Sequence, residues 1–250
     1  MSKRIVFIFV VSFLLTLFIT APASILDWGL QRATQGKILL ANANGTIWNG
    51  SATPSLRTSD NRFVTLPFLH WEISLQSIFS GKVLTRLQWD NQQSGPATEA
   101  LLSSNQLELR HMQLRLPARV LEEASPMLKA AQFRGELQIE SSSLIFSKHG
   151  MEGTALVDWR QASSALSSVA PLGDYHLHLN GTGQQIHIAL TTNSGMLFLE
   201  GDGNWLASRG LEFHGKAHAA SGNNSNLADL LSHLGPEISP GVHDFNLIPP

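Results

Sequence analysis

From about Leu39 to Ala219 the apolar residues recur with a period of two, the spacing of a strand that turns one face to a core and the other to water. Leu211, Phe213, Gly215, Ala217 and Ala219 alternate with Glu212, His214, Lys216 and His218. Leu137 and Ile139 alternate with Glu136, Gln138 and Glu140. Tyr175, Leu177 and Leu179 alternate with His176, His178 and Asn180, and Ile186 and Ile188 with Gln185, His187 and Ala189. Stretches rich in Gly, Asn and Ser, namely Asn180-Gly181-Thr182-Gly183, Asn193-Ser194-Gly195 and Gly201-Asp202-Gly203, read as the turns between strands. The pattern predicts a mainly β fold, an antiparallel meander.

The apolar set near residue 110 changes phase, from Leu107 and Leu109 to Met112, Leu114 and Leu116. A strand cannot do this without changing face, so a bulge or bend is expected at Arg110–His111. Helix is scarce. Pro117 to Ala131 is one candidate, interrupted at Pro126, and Leu227 to Leu234 another, with Asn226 as cap and Gly235-Pro236 as stop. A short helix is also expected around Ile25 to Ala33. The tail from Gly235 to Pro250, with four prolines, reads as extended or poorly ordered. Two short helices cannot cover the apolar faces of about ten strands. The sheet must therefore fold on itself as a sandwich or open barrel, or stay a curved sheet with a greasy face left for something else.

Residues Ile5 to Ala21 (IVFIFVVSFLLTLFITA) form an apolar run of roughly 25 Å as a helix, enough for a short or tilted membrane span. Lys3 and Arg4 precede it, which predicts a cytoplasmic tip at residues 1–4, a transmembrane anchor at 5–21 and a periplasmic or extracellular remainder at 22–250. A cleaved signal peptide is the alternative, since Ala21-Pro22-Ala23 imitates a small-x-small site. The central proline and the long apolar run favour a retained anchor. Residues 22–250 are expected to be one β-rich domain or two lobes, 38–116 and 133–234, joined by the helix at 117–131.

Composition removes several functions. A formal charge of −2 leaves no basic excess for phosphates, so no nucleic-acid partner is expected. With no cysteine, disulfides, thiolate metal sites and cysteine nucleophiles are excluded.

Four stretches carry a resemblance. Gly45-Thr46-Ile47-Trp48-Asn49-Gly50-Ser51-Ala52 resembles the G-x-[LIV]-W-x-G-x-A signature of the protein N family of the type II (general) secretion pathway. Asp158-Trp159-Arg160-Gln161-Ala162, then Pro171-Leu172-Gly173-Asp174-Tyr175, then Gly195 through Trp205 fit the same family in the same order. The resemblance runs from the anchor to about Leu234. It implies an inner-membrane protein with a periplasmic β domain, accessory to the machine that exports folded proteins across the outer membrane, and it supplies no catalytic residues. Read without any family, Trp48 and Thr46 point to one strand face, and Gly45 and Gly50 stand where a neighbour comes close. Trp89, Trp159 and Trp205 stand at strand ends, where a large ring closes a core; partner binding is the alternative for them.

Chemistry is poorly represented. If Leu179 pairs with Ile186 and Leu177 with Ile188, then His178 faces His187 across a hairpin with His176 nearby, three imidazoles that in principle suit zinc. The face reads as wet and no carboxylate is evidently placed beside them, so solvated histidines are the expectation and no metal site is assigned. Gly201-Asp202-Gly203 is not a phosphate loop, no nucleophile elbow or P-loop is present, and adjacent Glu122 and Glu123 do not share a helix face. No catalytic residue, cofactor or metal is expected, and the chain is not read as an enzyme. The leading expectation is a type II secretion subunit that works by protein contacts with the inner-membrane platform or other periplasmic components. The alternative is an envelope lipid carrier of the AsmA type, with lipid held on an apolar sheet groove; a metal-dependent hydrolase built on the histidines ranks last.

Overall fold

The computed structural model describes residues 3–58, 60–90, 96–123, 126–220 and 224–247. The chain divides into two compact units, Met1–Asn91 and Gln92–Pro250.

The first unit opens with helix α1 (Lys3–Ile19), followed by α2 (Ser24–Ala33). Strands β1 (Ile38–Gly45), β2 (Asn49–Arg57), β3 (Phe63–Thr65), β4 (Leu69–Ile73) and β5 (Val83–Trp89) follow, with the one-turn α3 (Leu75–Ile78) before β5. The antiparallel order is β1-β2-β4-β5, with β3 pairing the far end of β2. Ala23, just before α2, and Leu26 within it pack with Leu40, Ala52, Leu69, Trp71 and Leu87 in a small core centred on Trp71. Gly50 lies under that indole: a Cβ there would come 2.6 Å from Trp71 Cζ2.

The outer edge of β1 is closed by side chains. The Leu40 amide donates to Asp27 Oδ1 at 2.8 Å, and the Ile38 amide to Thr34 Oγ1 at 3.1 Å. Both acceptors sit on or just beyond α2, which runs alongside the strand.

Every described residue of α1 is exposed. The helix starts and stops two residues earlier than the expected span. At 17 residues it is about 25 Å long, short of the ~30 Å hydrocarbon core of a bilayer. Among the described residues no helix is long and apolar enough to cross a membrane. Of the expected tip at 1–4, residues 1–2 lie outside the described residues.

The second unit holds β6 (Thr98–Leu102), β7 (Gln106–Pro117), β8 (Arg134–Ser147), β9 (Gly150–Ser163), β10 (Gly173–Gly183), β11 (Gln185–Gly195), β12 (Leu197–Leu206), β13 (Gly210–Ala219), β14 (Glu237–Ser239) and β15 (Val242–Leu247). From β6 to β13 each strand pairs antiparallel with the next, the expected meander; β15 then pairs β13 and β14 takes the edge. Between β7 and β8 lie a 3-10 turn (Ala118–Glu123) and α4 (Pro126–Ala131), so the expected helix at 117–131 is split and Pro117 ends the strand. Helix α5 (Asn224–Leu234) starts earlier than expected, placing Asn226 inside it, and stops at Gly235.

The phase change near residue 110 is a bend in β7, with the register to β8 unbroken. Arg110 pairs with Ser143 and Met112 with Ser141, while His111 takes φ +51° between them. The Gly-rich turns are corrected. Gly201-Asp202-Gly203 lies in the middle of β12, Asn180-Gly181-Thr182-Gly183 closes β10, and Asn193-Ser194-Gly195 closes β11. The reason at residues 201–203 is a ring from the next strand: a Cβ on either glycine would come 2.8 Å from the Phe213 ring. The tail is also corrected. Residues 237–247 form a hairpin whose Phe245 is buried against Phe213, with ring centroids 5.9 Å apart. Residues 248–250 lie outside the described residues.

Candidate functional site

The first signature builds a junction. Its residues do not form a continuous strand. Gly45 ends β1, Asn49 starts β2, and Thr46 to Trp48 make the connection, which corrects the expected strand face for Thr46 and Trp48. The Ala23 amide donates to Gly45 O (3.0 Å), the Ile47 amide to Ala21 O (2.9 Å), and the Trp71 indole N–H to Ile47 O (3.1 Å). Trp48 reaches the last turn of α1: its indole N–H donates to Phe18 O at 2.9 Å, and the two rings lie 4.7 Å apart. The exit of α1 is thus clamped to one end of the first sheet.

The other three motifs meet in the second unit. Trp159 of β9 pairs with Tyr175 of β10, their rings 5.9 Å apart, and Phe133 meets the indole edge-on at 5.0 Å. The Tyr175 hydroxyl donates to Leu197 O at 3.0 Å, while Leu172 O accepts from the Met196 and Leu197 amides. Asp174 Oδ1 accepts from the Gln161 amide at 2.7 Å, at a bulge where Gln161 takes φ +50°. Ala162, Leu172, Tyr175 and Leu197 are buried in one core with Leu227, Leu230 and Leu231 of α5. Burial pushes the Tyr175 phenol far above its ordinary value, with Asp174 adding to the shift. Trp159 accordingly fills core space, although it stands inside β9; Trp205, near the end of β12, stays exposed.

Cross-strand partners share a face. The pairs Leu114–Ile139, Ile139–Val157, Val157–Leu177, Leu177–Leu190 and Leu199–Ala217 therefore put an apolar band on one side of the sheet from β7 to β13. Helix α5 buries the band around Phe213, Ala217 and Phe245. Leu107, Leu114, Ile139 and Val157 stay half-exposed.

The opposite side carries Arg115, Gln138, Asp158, His176, His178, His187, His214 and His218. The expected histidine register is off by two. Leu179 pairs with Ile188, His178 with Ala189 and His187 with Asn180, because β10 continues to Gly183. A shift of two keeps the side chains on their face, so His178 and His187 are diagonal neighbours. A carboxylate does accompany one of them: His176 Nδ1 lies 2.7 Å from Asp158 Oδ1, a pair that lay unseen because β9 is distant in sequence. His187 Nδ1 lies 3.3 Å from Asn204 Oδ1. Gln138 donates to Glu140 at 2.6 Å and leaves its buried Oε1 without a hydrogen-bond partner. Over the bend of β7 and the bulge of β8 against β9, a cavity of about 360 Å³ is lined by His111, Gln113, Glu140, Ser142 and Leu156 among others. Among the described residues no three His, Asp or Glu side chains are grouped to hold a metal ion.

The motifs thus organise a helix junction and a core. The family described as "Type II secretion system (T2SS), protein N" matches residues 37–246. The chain is 29% identical over 202 residues to the type II secretion system protein N of Klebsiella pneumoniae, covering 76% of this chain and 73% of that one. No solved structure matches. The match spans both β units and all four motifs, and the chain belongs to the protein N family of the type II secretion system.

Proposed function

We propose that the chain is a non-catalytic type II secretion subunit held at the inner membrane by α1, with residues 1–4 on the cytoplasmic side and the β units in the periplasm, and that it acts by protein contacts. The observation that carries the reading is the family match across residues 37–246. Support for the membrane seat comes from α1 itself, apolar on every side and exposed along its length, with Lys3 and Arg4 at its start. A helix slightly shorter than the bilayer core is accommodated by local thinning at modest cost. Deleting the protein and assaying export tests the proposal: export should fall, and a secretion subunit should co-purify with the full chain. Unchanged export with no such partner would sink it.

One observation favours a second reading, lipid handling. The apolar band from β7 to β9 is half-exposed, and the helix that buries the band packs around β13 and β15. Native mass spectrometry of the detergent-purified full chain separates the two: stoichiometric phospholipid on the band points to a carrier, and a lipid-free chain to contacts alone.

A further inference from the structure

Phe79, between α3 and β5, is 93% exposed. Its neighbours Leu75 and Ile78 are exposed as well, so this short segment turns three large apolar side chains outward. A single exposed apolar residue is ordinary, but three on one turn are not.

Their place in the first unit matters. The Ile73 amide donates to Trp48 O at 2.6 Å and Glu72 pairs with Asn49, so α3 leaves β4 at the sheet end where Trp48 sits. Trp48 in turn touches Phe18 in the last turn of α1. The start of α2 is tied to that end too, since the Ala23 amide donates to Gly45 O, and Ile25 in its first turn is 49% exposed. Ile25, Trp48, Leu75, Ile78 and Phe79 thus form a rim around the exit of α1, with Lys82 four residues after Ile78.

We propose that this rim rests on the phospholipid surface, with Phe79 inserted among the upper acyl chains and Lys82 reaching the phosphates. The proposal rests on the reading of α1 as bilayer-seated and extends that contact from the helix to the unit it carries. Tryptophan at the boundary, apolar tips just inside it and a lysine reaching outward are the arrangement an interface favours. Lipid is the occupant because the rim is continuous, through Trp48 and Phe18, with a helix exposed and apolar on all sides.

The absence of cysteine makes the test direct. Full-length Phe79→Cys, Leu15→Cys and Arg62→Cys variants are labelled with an environment-sensitive fluorophore. They are reconstituted in nanodiscs of phosphatidylethanolamine and phosphatidylglycerol, with and without lipids bearing an acyl-chain nitroxide. Arg62 lies beyond the far end of β2, roughly 25 Å from the rim. The expected result is strong quenching at residues 15 and 79 and little at 62. A bright label at 79 beside a quenched one at 15 overturns the rim contact and leaves the helix reading intact. A bright label at 15 overturns the helix reading. Equal quenching at 62 and 79 also overturns the proposal, because the contact would not be confined to the rim.

Discussion

The two β units solve the same covering problem with unequal means. A helix is about 10 Å wide and strands lie about 4.8 Å apart, so one helix covers two or three strands. In the first unit the start of α2 closes a small core on a sheet of four main strands, and Trp71 at its centre becomes nearly inaccessible. In the second unit α5 meets a sheet whose main path has ten strands, roughly 43 Å across at that spacing. It seals the part that bears Phe213 and Phe245, and the apolar residues of β7 to β9 stay half-covered. The difference teaches that the number of strands per covering helix sets how much apolar surface stays uncovered.

The largest effect should come from the closed sheet. Trp71→Ala should cost about 4 kcal/mol, since it empties the centre of a small core and frees Ile47 O. Hydrogen exchange in β2 and β4 is the readout, and a loss smaller than that of any second-unit core residue would break the comparison. Leu227→Ala in α5 should cost about 3 kcal/mol, measured by urea unfolding. A value near zero would mean that α5 seals nothing.

Tyr175 sharpens the comparison through pH. It is the one tyrosine in the chain, so absorbance at the phenolate band reports on it alone. Burial raises its folded-state pKa above the unfolded value of about 10, so the neutral phenol favours the folded state. That stability is fully present below pH ~10 and is lost as pH rises beyond it. Alkaline unfolding and phenolate formation should therefore coincide, and a phenol that titrates normally in the native protein would refute the sealed core. Tyr175→Phe should cost about 1 kcal/mol by orphaning Leu197 O. The smallest effect is expected of Asp27→Ala, about 0.5–1 kcal/mol by thermal melting, because it uncovers a single β1 amide. No change there would mean that water replaces the carboxylate without penalty.

Much of this was legible in the sequence. Alternation at 211–219 and 175–180 placed the strands and their faces, and the shift from Leu109 to Met112 placed the bend at His111. What stayed hidden depends on a distant partner. Gly201 and Gly203 look like a turn until Phe213 is laid over them. Phe245 and Leu247 carry a faint period-two signal, but only β13 gives them a strand to join. The hairpin after β10 is set by one residue of turn position, which local propensity does not fix, and every histidine pairing moved with it. Asp158 beside His176 needed the β9–β10 register. Trp48 stands in a recognisable motif, while its partner Phe18 lies in an apolar run whose pattern carries no sign of that bond.

The stoppered rim of β1 has a consequence for how such a subunit lives among its neighbours. A bare ladder of amides invites a second copy to dock and then a third, the route to runaway polymers. Thr34 and Asp27 occupy two of those places from within the same molecule. With those two amides taken, strand addition at this edge is disfavoured from within the same unit.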